Sequence, residues 1–246
     1  MNYLALALVI PLAACSFAWS SDDNGPGGQG APAQGTGTSR TFAVADFSAI
    51  ALSGADDVDV RVGTGFSVRA EGPTDALDRL RIERDGTTLK VGRRNGVNMG
   101  WSRSGHVKIF VTLPRLAGAS VSGSGDMAID RVEGTSFAAA VAGSGNLGIA
   151  ALKVDDAALS IAGSGDVTAT GTAGTLSIKI AGSGDVDAPR LRARAASINI
   201  AGSGSIRAVV EGPAAIDLRG SGDVDLGPAA RCTVSKRGSG SVRCAD

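Results

Sequence analysis

Seven polar residues recur, each directly behind an identical tripeptide: Asp126, Asn146, Asp166, Asp185, Ser205, Asp223 and Ser241 all follow a Gly-Ser-Gly. A row of carboxylates can ligate calcium or carry acid–base chemistry. Calcium, however, takes about six to eight oxygens converging on one point, and a single file broken by Asn and Ser supplies too few. Asp, Asn and Ser share a second property, a short side chain that bonds the backbone of a turn. The column is therefore expected to hold turns, and no catalytic, cofactor-binding or metal-binding residue is assigned. The single histidine, His106, excludes a multi-histidine metal site. One place further out stand Asp187, Arg207, Asp225 and Arg243, whose alternating signs predict an ion-pair ladder. Each exposed pair contributes about 0–1 kcal/mol, so its larger use is to set register.

A second cluster can bind rather than react. Arg93, Arg94, Met99, Trp101 and Arg103 lie in the irregular stretch RRNGVNMGWSRSG. A ring with cations around it suits sugar stacking or an anionic lipid headgroup. The plainer use of Trp101 is to fold back over the end of a core. The stretch is carried forward as a candidate contact loop.

What must position these residues is a repeat. The tripeptides bring glycines at Gly123 and Gly125, Gly143 and Gly145, Gly163 and Gly165, Gly182 and Gly184, Gly202 and Gly204, Gly220 and Gly222, and Gly238 and Gly240. Successive triplets stand 20, 20, 19, 20, 18 and 18 residues apart. A period near 20 residues marks a solenoid. Two residues before each triplet come Val121, Val141, Ile161, Ile180, Ile200 and Leu218, with Lys236 breaking the column. Four after each first glycine come Met127, Leu147, Val167, Val186, Ile206, Val224 and Val242. Period-2 alternation on both sides of a corner means two half-buried strands per coil. Coils about 4.8 Å apart stack equivalent residues, and glycine permits both the bend and the close approach. Ala138, Ala140, Ala142, Ala158, Ala162, Ala181 and Ala201 fall outward. They form a flat face that either lies under the N-terminal part, the plainer reading, or docks a partner.

The flanking regions set compartment and boundaries. Residues 4–14 are apolar, too few to span a bilayer but suited to the h-region of an export signal. They run into Leu12-Ala13-Ala14-Cys15, which resembles the bacterial lipoprotein signal, so Cys15 is the expected lipid attachment site. Ser16, where an aspartate would retain the protein inside, implies sorting to the outer membrane. No Lys or Arg precedes the apolar run, as a start codon placed too far downstream would explain. With Cys15 acylated, Cys232 and Cys244 remain as a natural disulfide in an oxidising compartment. Such a bridge contributes about 3 kcal/mol in the chain-entropy account and, with Lys236, Arg237 and Arg243, caps the last coil. The expected order is an export signal at 1–14, a lipid-anchored flexible tether at 15–40, a β-rich N-terminal part at 41–115 and solenoid repeats at 116–246. Within 41–115, Val58, Val60 and Val62, Phe66 and Val68, Leu89 and Val91, and Val107, Ile109 and Val111 alternate as strands do; the segment 75–84 reads equally as helix or strand.

The repeated Ser-Gly-Ser-Gly-Asp and Ala-Gly-Ser-Gly-Asp corners, led by Val107-Lys108-Ile109-Phe110-Val111-Thr112-Leu113-Pro114-Arg115-Leu116, resemble the putative auto-transporter adhesin head-GIN domain family over residues 42–246. The resemblance implies an all-β, right-handed parallel β-helix-like solenoid in exported, often lipid-anchored proteins of Gram-negative bacteria. With about seven coils and a β-rich N-terminal region, the chain reads as a non-enzymatic cell-envelope lipoprotein acting as an adhesion or protein-interaction scaffold. The alternative is a β-helix carbohydrate-active enzyme or carbohydrate-binding protein. No cofactor is expected, and partners are a membrane, through the lipid anchor, and a protein or glycan. Balanced charge, with 24 basic and 24 acidic residues, argues against a nucleic-acid partner.

Overall fold

The computed structural model describes residues 30–94 and 105–245. The expected export signal, Cys15 and most of the expected tether lie outside them, as do Met99, Trp101 and Arg103. The chain forms a parallel β-solenoid of about six turns. Its coils are built by β9 (Gly118–Gly123), β10 (Met127–Ile129), β11 (Val132–Gly143), β12 (Leu147–Gly163), β13 (Val167–Gly182) and β14 (Val186–Gly202). They continue through β15 (Ile206–Val210), β16 (Pro213–Gly220), β17 (Val224–Asp225), β18 (Arg231–Arg237) and β19 (Val242–Arg243). Strands of 16 or 17 residues stay regular by bending. In β12 the inward–outward alternation slips at Ala150–Ala151 and at Asp155–Asp156, the places where the chain turns from one side of the coil to the next. The seven triplets lead to an expectation of about seven coils, and the solenoid makes about six turns.

The register is the one the repeat predicts. Val167 pairs with Val186 and Val186 with Ile206. Val121, Val141, Ile161, Ile180, Ile200 and Leu218 form one buried column across six coils. Burying each of these aliphatic side chains stabilises the stack by about 1.5–3 kcal/mol before chain entropy is charged against it.

The N-terminal part belongs to the same stack, which the boundary expected between 115 and 116 obscures. β3 (Ala49–Gly54) and β4 (Asp57–Val62) form a coil, with Gly54 in register with Gly123 and Val58 with Met127. On their other side lie β7 (Thr88–Arg93) and β8 (Lys108–Leu113), parallel to β3 and β4. β7 ends at Arg93 and β8 begins at Lys108, so these two strands build the outermost coil. Residues 75–84 prove to be both readings in turn: α1 (Thr74–Leu77), then β6 (Leu80–Asp85). β5 (Ser67–Glu71) and β6 pair antiparallel to β8 and β7, and β2 (Ser39–Phe42) to β5. β1 (Ala33–Gln34), inside the stretch read as tether, pairs with β2. Antiparallel strands thus close this end and hide its edge. At the other end Cys232 and Cys244 are joined as a disulfide.

Placed at the end, the N-terminal part does not cover the alanine face. Ala138, Ala142, Ala158, Ala162, Ala181 and Ala201 are exposed and Ala140 half-buried. The plainer sequence reading of that face is corrected here: the stack is closed by its edge strands, not along its side.

Candidate functional site

At the corners of Gly54, Gly123, Gly143 and Gly163 one glycine carbonyl accepts two N–H groups from the coil above, and at those of Gly182, Gly202 and Gly220 it accepts one. Ser144 and Gly145 donate to the oxygen of Gly123 at 2.9 and 3.0 Å, and Ser164 and Gly165 to that of Gly143 at 2.8 and 3.0 Å. The polar column completes the joint. Asp126 Oδ1 accepts the N–H of Asn146 at 2.8 Å, Asn146 Oδ1 that of Asp166 at 3.1 Å, and Asp166 Oδ1 that of Asp185 at 2.8 Å. Asp185 Oδ1 continues to the N–H of Ser205 at 2.6 Å, and Asp223 Oδ1 to that of Ser241 at 2.8 Å. The turn-holding role expected of these residues is thus performed between coils: each side chain bonds the next coil's backbone. The carboxylates run in single file along the axis, which is the geometry of a seam.

The column has an eighth member that sequence reading missed. Asp57 Oδ1 accepts the N–H of Asp126 at 3.1 Å. Its corner is Gly54-Ala55-Asp56, and Ser53-Gly54-Ala55-Asp56-Asp57-Val58 matches Ser122-Gly123-Ser124-Gly125-Asp126-Met127 position by position. The signal was present, but a separation of 69 residues hid the period.

Asp223 carries a pH-dependent consequence. The Ser241 hydroxyl at 2.6 Å and then the Ser241 N–H hold its carboxyl below the ordinary 3.8. A depressed folded-state value stabilises the fold at pH above 3.8, and that contribution fades as pH falls through the lowered value. Asp223→Asn keeps an acceptor but does not titrate. The wild type is therefore expected to lose stability relative to this variant as pH falls below about 4, read as converging urea midpoints.

The outer charge ladder stands in register, Asp187 beside Arg207, Arg207 beside Asp225 and Asp225 beside Arg243. One contact closes as an ion pair, Arg207–Asp187 at 3.5 Å; Asp225 instead accepts the N–H of Gly227 at 3.1 Å.

At the candidate contact loop the described residues divide. Arg93 occupies the corner position beside Gly54, and its Nε donates to Asp56 Oδ2 at 2.7 Å while a second nitrogen reaches Asp56 Oδ1. The Oδ1 atom also accepts the N–H of Val107 at 3.0 Å, and Arg93 bonds the carbonyl of Gly105 at 2.9 Å. Asp56 is 1% exposed, the one buried charged side chain among the described residues. Hydrogen bonding to it raises the Arg93 guanidinium above its ordinary value. Arg93 therefore ties both ends of the loop to the stack and is not free to meet an anionic ligand. Arg94 is exposed. Met99, Trp101 and Arg103 are not brought into view.

Several broad surfaces remain, among them a trough of about 540 Å³ lined by Lys153, Asp155, Arg192 and Glu211. Another is a trough of about 460 Å³ with Ala128, Gly148 and Thr168 in its lining, edged by Asp57, Asp126 and Asp166. A third is the alanine face, widened by the exposed Ser122, Ser197 and Asn199 and crossed by the exposed Lys179. It is flat because every coil contributes the same strand in the same register.

The family described as putative auto-transporter adhesin, head GIN domain, matches residues 46–230. A solved putative adhesin from Bacteroides fragilis superposes with a TM-score of 0.73 at 22% identity, over 84% of this chain and 95% of that one. A putative lipid binding protein from Parabacteroides distasonis gives 0.65 at 24% identity, over 85% and 96%. A putative adhesin from Parabacteroides merdae gives 0.70 at 16% identity, again over 85% and 96%. These likenesses establish a shared fold. Among curated proteins none matches the chain.

Proposed function

Because the chain belongs to the putative auto-transporter adhesin, head GIN domain family, we propose that it is a non-enzymatic, lipid-anchored protein of the cell envelope whose rigid solenoid presents its flat face for adhesion. The observation that carries this reading is the exposure of that face on Ala138, Ala142, Ala158, Ala162, Ala181 and Ala201. Small side chains at fixed spacing let a second surface approach the sheet closely on either side of the exposed Lys179, the one long side chain between Ser160 and Asn199. The corner carboxylates support the same reading, since each bonded member spends an oxygen on the next coil. A carboxylate already joining two backbones is poorly placed to shuttle protons.

The test places charge on the face without disturbing the stack. Ala162 and Ala181 are register neighbours, so Ala162→Glu with Ala181→Lys adds an opposed pair. Wild-type chain immobilised on beads is expected to retain envelope fragments and glycans that the folded double variant does not. Equal retention by both would remove the face from the account. Depolymerisation of an acidic polysaccharide, lost on replacing Asp185 and Asp187, would establish the carbohydrate-active alternative instead.

The anchor is tested separately. In the full chain, Cys15→Ser is expected to abolish incorporation of labelled fatty acid and move the protein from the membrane to the soluble fraction. Unchanged labelling and fractionation would count against acylation at Cys15. A stable anchor needs more than one acyl chain, which diacylation of the cysteine supplies.

A further inference from the structure

We propose that the free edge of β18 takes up an extended acidic segment of a partner protein as an added strand, its acidic residues six apart about a central apolar one. Throughout the stack inward-facing residues donate forward: Val167 to the carbonyl of Asp185, Val186 to Ser205 and Val224 to Ser241, each at 2.9 Å. By the alternation of a strand, the N–H and C=O groups of Cys232, Val234 and Lys236 point forward too. Among the described residues β18 pairs with β16 alone, so no strand meets them. The residues of this coil show that it is finished in itself. Lys236 stands in the column that is apolar in six coils, and its ammonium bonds the carbonyl of Gly240 at 2.9 Å. The Cys232–Cys244 bridge closes the coil across its own mouth.

Charge selects the occupant. Val234 is 45% exposed, the one large hydrophobic residue so exposed among those described. Arg231 and Arg237 flank it at three residues on either side, exposed, and no described acidic side chain pairs with them. Asp217, in the coil below, is held by Arg219 at 2.8 Å. A second copy paired antiparallel about Val234 would set Arg231 against Arg237 twice, and like charges directly opposite are destabilising. An anionic membrane offers charge but no N–H for the forward carbonyls. An extended peptide offers both donors and acceptors, the mode of recognition by strand addition. The symmetric spacing about Val234 lets it run in either direction.

The probe is a fluorescent nonapeptide, TEVTVTVET, followed by anisotropy against the full chain purified in detergent. It is expected to bind, and the exposed double substitution Arg231→Glu with Arg237→Glu is expected to weaken it by about tenfold or more. The peptide with lysines in place of its glutamates should bind that variant and not the wild type. A peptide N-methylated at alternate residues should fail with both, since charge alone does not satisfy a strand edge. Absence of binding to the wild type, failure of the charge-swapped pair, or equal binding of the N-methylated peptide would each overturn the proposal. Intact circular dichroism and an intact disulfide in the double variant keep misfolding from passing as loss of the site.

Discussion

Gly143→Ala is expected to destabilise the chain by about 2–6 kcal/mol, a large share of what a domain possesses. Two costs fall on one methyl group. The backbone of Gly143 sits at φ +124°, a conformation that side chains with a Cβ rarely adopt. A Cβ there would also stand 2.4 Å from the carbonyl oxygen of Gly123, the atom that accepts both corner hydrogen bonds. That oxygen cannot retreat without releasing Ser144 and Gly145. Because each coil touches only its neighbours, the damage lies at the joint between two coils, and unfolding is expected to lose cooperativity across it. Gly148→Ala is the control: its Cβ would meet only Thr168 Oγ1, at 3.3 Å, and its effect should stay near zero. Urea denaturation of the two variants reads the difference directly. Equal midpoints would mean that glycine at the corner is not required by close approach.

Asp56→Ala is the second large effect, expected at about 3–5 kcal/mol. The substitution removes the partner of Arg93 and leaves that cation, 27% exposed, without its charge at the base of the loop. It also orphans the N–H of Val107, which is itself buried. Arg93→Ala should cost a similar amount, since it strands a carboxylate that is nearly inaccessible. The double variant should cost less than the sum of the two singles, because neither charge then remains unpaired. A double-mutant cycle by thermal or urea unfolding measures this coupling. Additive losses would show that the pair is not a unit. The same experiment bears on function: if Arg93 served a ligand rather than the fold, its removal would leave stability nearly unchanged.

The corner glycines and the Asp56 pair mark two different reaches of sequence reading. The glycines announce themselves because the requirement they meet recurs every 18 to 20 residues, so the pattern is overdetermined. The coil at Gly54 obeys the same rule but occurs once, with Ala55 and Asp56 in place of Ser and Gly. Asp56 can stand there because Arg93 and the N–H of Val107 meet its carboxylate. Its carboxylate needs a cation, and the cation comes from Arg93, 37 residues away along the chain. Nothing in the spacing of Asp56 and Arg93 predicts that meeting. For the same reason Arg93 reads as a contact residue in the sequence and as a clamp in the fold.

Period and alternation were sufficient, by themselves, to determine the coils from Gly123 onward, their register and the buried columns. Each of these follows from local geometry repeated at nearest-neighbour distance. Tertiary structure alone decided which surfaces stay open. The N-terminal strands close one end of the stack instead of lying along its side, so the alanine face remains exposed and β18 keeps a free edge. Those outcomes depend on a chain that passes β3 and β4, builds the outermost coil from β7 and β8, and then crosses back to β9. Long-range crossings of that kind are set by which edges and apolar surfaces can be covered together, and no short window of residues records them.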